Sequence, residues 1–309
     1  MSPQKYRLIT RSDFDGLVCA VLLNELQLID EIKFVHPKDM QDGKIEVGPR
    51  DITTNLPYVP SAHLAFDHHL SEAIRNGKHR NHIIEVDAPS AARVVYNHYG
   101  AKDAFPRITD EMMAAVDQAD SAQYERADIL EPSGWVLLNY LMDARTGLGR
   151  FRDFRISNYA LMMDLIDYCR DHTIAQILQL PDVQERVELY VAHLVPAREQ
   201  IVRCATVRGS LVVLDLRGED TIYATNRFMV YALFPQCNIS VHVMWGVQKQ
   251  NTVLACGKSI LDRSSKTNVG ELMLAHGGGG HLAAGTCQVD NTAADATLAR
   301  LIAKINLDG

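Results

Sequence analysis

Short apolar runs rich in β-branched residues alternate with helical periodicities through the first hundred positions, the pattern of a parallel sheet with helices packed on its faces. Residues 6–10, 33–37, 45–48, 63–66 and 83–86 predict strands, and residues 16–26 carry apolar side chains at helical spacing. The chain must therefore turn sharply around Asp13–Gly16. Pro89 and Ser90 open a further helix that Gly100 closes. Residues 109–180 read as helical, broken by polar turns at 131–134 and 145–149. A long amphipathic stretch, 183–205, leads into a second alternating region with strands expected at 211–216, 221–225, 240–245, 253–259 and 286–289. Helices are expected there near Phe228, Val269 and Ala293. The expectation is an α/β protein: a parallel-sheet domain with a helical half (1–182), a connecting helix (183–205) and a smaller α/β domain (206–309).

Composition narrows the functional classes. A chain of 309 residues that is 47% hydrophobic can bury a sizeable core, which argues against disorder. Its formal charge of -7 argues against broad binding to long duplex nucleic acid, although a local basic groove is compatible with it. No apolar run reaches the length of a membrane span and no signal-peptide pattern opens the chain, so a cytoplasmic protein is expected. A homodimer is compatible with these features. The six cysteines are scattered and form no Cys-x-x-Cys pair, which predicts reduced core residues.

Candidate chemistry collects at strand ends. Asp13 and Asp15, then Asp51, then Asp67 with His68 and His69, then Asp117 and Asp120 fall at or just beyond predicted strand ends or in the helix that follows. Ligand sites of open parallel sheets lie at the carboxyl ends of the strands, so one site could gather them all. Several carboxylates together repel unless a cation neutralises them, and oxygen with imidazole ligation suits Mn²⁺ or Mg²⁺. Taken singly, Asp13 or Asp15 also suits a helix N-cap, and Asp51 a polar turn through Thr53, Thr54 and Asn55. Asp117 and Asp120 could each be solvated helix residues.

A second motif lies near the C-terminus. Gly277 to Gly280 and His281 sit between a helical run and a strand, where successive N–H groups could converge on an anionic oxygen. Gly278, Gly279, Gly280 and His281 are the candidate phosphate cradle. Lys258 and Arg263, just upstream, are candidate partners for substrate phosphate or carboxylate.

Taken in order, these motifs resemble the DHH phosphoesterase superfamily, in the branch with a DHHA1 domain that includes exopolyphosphatase-like, oligoribonuclease-like and pAp-phosphatase-like proteins. The resemblance covers nearly the whole chain. Asp13-Phe14-Asp15-Gly16 matches the first motif, Asp51 the second, Asp67-His68-His69 the third, Asp117 or Asp120 the fourth, and Gly277 to His281 the terminal glycine motif. The resemblance implies that Asp13, Asp15, Asp51, His68 and the fourth-motif aspartate ligate Mn²⁺, with Asp67 in the same cluster and His69 close to the scissile phosphate. It also implies that His281 and the glycine backbone hold the substrate end. One position departs: many members have a histidine two residues before the first aspartate, where this chain has Arg11. Guanidinium cannot ligate a metal, so Arg11 brings a fixed positive charge instead.

The expected activity is hydrolysis of a phosphodiester or phosphoanhydride bond by metal-activated water, with His69 and Arg11 assisting at the phosphoryl group. Substrate would be small: a short single-stranded oligonucleotide, a pAp-like nucleotide or polyphosphate. The alternative is a nucleotide- or phosphate-binding protein whose turnover Arg11 has weakened or abolished.

Overall fold

In the computed structural model, which describes residues 4–151 and 153–309, five strands form one sheet. They are β1 (Tyr6–Arg11), β2 (Ile29–Val35), β3 (Asp51–Thr54), β4 (Leu64–Asp67) and β5 (His82–Ile84), in the order β2-β1-β3-β4-β5. All neighbours pair in parallel, so every strand ends on the same edge. The helices Phe14–Glu25 and Ala91–His98 pack on this sheet and on each other, and Asp110–Asp120 packs on both of these helices. From Leu17 to Leu23 the first of these is wholly buried, which accounts for its almost unbroken apolar sequence.

Two expectations change here. Residues 45–48 are a loop, whose Ile45 and Val47 pack against the Ile9, Val35, Met40 and Leu56 cluster. The central strand is instead Asp51–Thr54, in the stretch expected to turn. Threonine's branched Cβ suits a pleated strand, and its hydroxyl can be buried once bonded. Thr54 Oγ1 donates to Thr10 Oγ1 at 2.6 Å, and Thr10 Oγ1 donates to the Thr54 carbonyl at 3.3 Å.

The second sheet has the order β10-β11-β9-β8-β7-β6. Its strands are β6 (Ala205–Arg208), β7 (Leu211–Asp215), β8 (Ile239–Trp245), β9 (Thr252–Lys258), β10 (Gly279–Gly280) and β11 (Ala284–Val289). Only β7 and β8 pair in parallel. Leu211, Val241, Leu254, Val269, Met273, Leu301 and Ile305 form its core. The stretch 221–225, expected as a strand, is irregular; Gln200 Oε1 accepts its Tyr223 N–H.

The chain divides into two compact units, one of residues up to Gln123 with Ser133–Ala144 and Leu148–Glu188, the other of Tyr124–Pro132, Arg145–Gly147 and Leu189–Gly309. The helix Pro181–Cys204 runs through the division. Residues 124–132, expected in the first domain, belong to the second unit, where Asn226 Nδ2 donates to the Ile129 carbonyl. All six cysteines are free thiols, and no described helix is long and apolar enough to cross a membrane.

Candidate metal centre

The site grows from the turn between β1 and the helix Phe14–Glu25. Asp13 caps that helix, its Oδ1 accepting the Gly16 N–H at 3.0 Å. A side chain at Gly16 would collide with the Arg11 carbonyl, so the tight turn demands glycine. Asp15, in the first helical turn, is 2% exposed. Its two oxygens accept the N–H groups of Ala91 and Ala92 at 3.0 and 2.8 Å, at the start of the helix capped by Ser90. Burial foremost, then the charges of Asp120 and Asp13, hold the Asp15 carboxyl well above its ordinary pKa.

The end of β4 supplies Asp67, His68 and His69. Asp67 Oδ1 accepts the backbone N–H of His68 at 2.8 Å and of His69 at 3.3 Å, and lies 2.7 Å from His69 Nδ1. Asp67 Oδ2 is buried with no hydrogen-bond partner among the described residues. His68 Nδ1 lies 3.1 Å from the Ala88 carbonyl, an acceptor only, so this nitrogen carries the proton. Its Nε2 therefore points at Asp120 Oδ2, 2.9 Å away. Burial lowers the His68 pKa, but the bond to Asp120 and the charges of Asp120 and Asp15 outweigh it and raise it to about 9.

Two triads can each bring one ligand atom per residue to within 4.8 Å of the others: Asp15, His68 and Asp120, and Asp67, His68 and His69. Oxygen donors with imidazole, and an orphaned buried carboxylate oxygen beside them, fit a divalent cation of the Mn²⁺ or Mg²⁺ kind.

The other candidates differ in place. Asp13 is near Asp15, but Arg11 Nε holds its Oδ2 at 2.8 Å and Asn55 Nδ2 approaches its Oδ1 at 3.4 Å. Asp117 faces Arg93, whose guanidinium takes Oδ2 in a fork, while Ser90 Oγ donates to Oδ1 at 2.8 Å. Of the two fourth-motif candidates, Asp120 is thus the one at His68. Asp51 is the displaced one: it sits at the amino end of β3, opposite Arg7, whose Nε and Nη2 reach its carboxylate at 2.8 and 2.9 Å. At about 3.3 Å per residue it lies roughly 10 Å from the carboxyl end of that strand, too far to share an ion with His68.

Asn55 occupies the carboxyl end of β3 instead. Its backbone is left-handed, with φ 53°, a conformation that asparagine tolerates better than most residues. Its Oδ1 is buried with no partner among the described residues. Asn55 was not legible as a site residue because the strand before it was expected to be a turn.

In the second unit, the glycine run is an edge strand and less open than a cradle. Side chains at Gly278 or Gly280 would strike the carbonyls of Thr286 or Ala284, whereas Gly279 faces open space. His281 lies exposed in the turn that joins β10 to β11, its N–H donating to the Ala284 carbonyl. Lys258 ends β9 beside that turn, its backbone bonded to Ala283 and its Nζ 3.0 Å from the Ser265 carbonyl. Arg263 is exposed, its Nε 3.4 Å from the Ile260 carbonyl.

A parallel sheet carrying an Asp-x-Asp turn after its first strand and an Asp-His-His run after its fourth, with a second glycine-motif unit, defines a DHH phosphoesterase. The chain belongs to that superfamily of hydrolases. It is 63% identical to the pGpG-specific phosphodiesterase PggH from Vibrio cholerae, over 99% of this chain and 100% of that one, with a TM-score of 0.88. The fold recurs in the DHH domain of a member of a ribosomal-protein family, at 12% identity over 97% of this chain and 86% of that one, TM-score 0.55. It recurs also in CDC45 from Entamoeba histolytica, at 9% identity over 98% and 95%, TM-score 0.54. No family model and no curated protein matches the chain.

Proposed function

We propose that this protein hydrolyses the phosphodiester bond of a short linear dinucleotide, with pGpG as the substrate, in a reaction that depends on Mn²⁺ or Mg²⁺. The observation that carries the reading is the full-length likeness, at 63% identity, to a pGpG-specific phosphodiesterase. Asp15, Asp67, His68 and Asp120 would hold the cation. When bound, it would lower the pKa of a water molecule and offset charge on the phosphoryl group.

The chain's own residues supply the rest. The Ala88 carbonyl fixes the His68 tautomer that turns Nε2 inward. His69, with Nδ1 committed to Asp67, keeps Nε2 for a hydrogen bond to a non-bridging oxygen or to the leaving oxygen. Arg11, oriented by Asp13, adds a fixed positive charge where negative charge develops. In the second unit His281, Lys258 and the Gly279 backbone are the candidates for the remote phosphate, with Arg263 a further cation nearby in sequence.

The test is release of GMP by the purified full chain with Mn²⁺, using pGpG alongside pAp, polyphosphate and longer oligonucleotides. Release from pGpG that chelator abolishes and Mn²⁺ restores is the expected result. Binding of pGpG with no product under any of these conditions would instead support the weakly active binding protein that Arg11 suggests.

A further inference from the structure

Within the first unit, one large aromatic side chain is conspicuously uncovered. Tyr159 is 50% exposed, and it is the one aromatic among the exposed large hydrophobic residues described. It stands in the first turn of the helix Asn158–Asp171, edge-on to Phe34 with ring centroids 6.1 Å apart. Phe34 is the penultimate residue of β2 and pairs with Thr10, while the next pair in register is Val35 with Arg11. Tyr159 therefore lies at the strand-carboxyl rim of the sheet, the edge on which Arg11, Asp13 and the Asp67-His68-His69 run lie.

The segment that presents it is held firmly by a buried cation. Arg186 is 1% exposed, and its guanidinium donates to the Ile156 carbonyl at 2.8 Å and to Asn158 Oδ1 at 3.0 and 3.1 Å. It also donates to the Asp182 carbonyl at 2.7 Å and stacks on Phe154, 4.1 Å from the ring centroid. Such an arginine is costly to bury, yet here Glu185 pairs with its Nη1 at 2.9 Å while Nε and Nη2 are spent on Ile156 and Asn158, just before the tyrosine. Arg150 is exposed at the end of the preceding turn Leu148–Arg150, whose Gly149 lies against the Asn158 side chain. An exposed ring on a fixed support, with an exposed cation on the neighbouring turn, suits a ligand that is flat at one end and anionic at the other.

We propose that Tyr159 is the stacking surface for one nucleobase of the substrate, and that Arg186 is the positioning residue that presents it. This rests on the reading of the site as a dinucleotide phosphodiesterase. Sequence-tolerant stacking of this kind contributes binding and leaves the chemical step alone.

Steady-state kinetics on pGpG and a binding titration test it together. Tyr159→Ala should raise KM at least about fivefold with kcat within twofold of wild type, whereas Tyr159→Phe and Tyr159→Trp should keep both. Arg186→Lys should raise KM without lowering kcat. In metal-free buffer, the Tyr159→Trp protein should show saturable emission quenching by pGpG and by GMP, beyond the response of wild type. An unchanged KM in Tyr159→Ala, an equal loss in Tyr159→Phe, or absence of the added quenching overturns the proposal. The quenching does not depend on turnover, so failure of wild type to cleave pGpG while the tryptophan responds would sink the enzymatic reading alone.

Discussion

His68 Nε2 lies 2.9 Å from Asp120 Oδ2, and this contact separates two aspartates that a helix puts on one face. Asp117, three residues earlier, is turned instead to Arg93 and Ser90. Asp120→Ala should remove a ligand outright and lower kcat/KM more than about 100-fold, together with bound Mn²⁺. Asp117→Asn should act through its neighbours, with a loss nearer tenfold. Metal content by elemental analysis and GMP-release kinetics on both variants check the ranking; equal losses would contradict it.

Asp51 gives the complementary prediction. Its side chain is buried at the amino end of β3 and chelated by the partly exposed Arg7. Removing its charge leaves that arginine near solvent, so the expected loss is about 1–3 kcal/mol, below that of a fully buried pair. Asp51→Asn should lower the denaturation midpoint while metal content and kcat stay at wild-type values. A loss of bound Mn²⁺ in a folded Asp51→Asn protein would return Asp51 to the site.

These two cases show what local sequence can and cannot disclose. The turn Asp13–Gly16 and the Asp67-His68-His69 run are legible because their chemistry is contained in a few successive residues. Asn55 is not, because the Thr53-Thr54 stretch before it is polar and becomes a buried strand only when Thr54 bonds to Thr10, a residue far away in the chain. Once that strand is misplaced, the acidic residue at its wrong end takes the role that belongs to its carboxyl end. Asp117 and Asp120 are indistinguishable by spacing, since residues three apart share a helix face, and only Arg93 and His68 tell them apart. The glycine run reads as a phosphate cradle in sequence; pairing of Gly279 and Gly280 with β11 makes its second half an edge strand.

Arg11 and Asn55 both abut Asp13 with nitrogen donors that cannot bind a cation. A double replacement, Arg11→His with Asn55→Asp, adds an imidazole and a carboxylate at the same strand ends. Bound Mn²⁺ should then rise by about one equivalent, measured by calorimetric titration and elemental analysis. Unchanged stoichiometry in a folded protein would mean that neither residue limits metal loading.

In the second sheet, burial lowers the His242 pKa from 6.5 to about 4. Between those values the unfolded chain binds the proton and the folded chain does not, so stability increases with pH across this window. The destabilisation begins as pH falls below about 6.5, is complete below about 4, and amounts to no more than about 3 kcal/mol. His242→Gln should flatten the dependence of the urea midpoint on pH over that interval, relative to wild type.

The glycine motif separates packing from binding. Gly278 is closed in by β11, so a methyl group there must displace backbone, and Gly278→Ala should lower stability by about 1–3 kcal/mol or more. His281 is exposed in the neighbouring turn, and its truncation touches no core. His281→Ala should therefore leave the denaturation midpoint unchanged and raise KM for pGpG, because contacts to a remote phosphate help to hold the reacting one in place. If His281→Ala were instead to lower kcat with KM unaltered, the residue would act on the transition state and the assignment of remote binding to this turn would have to be given up.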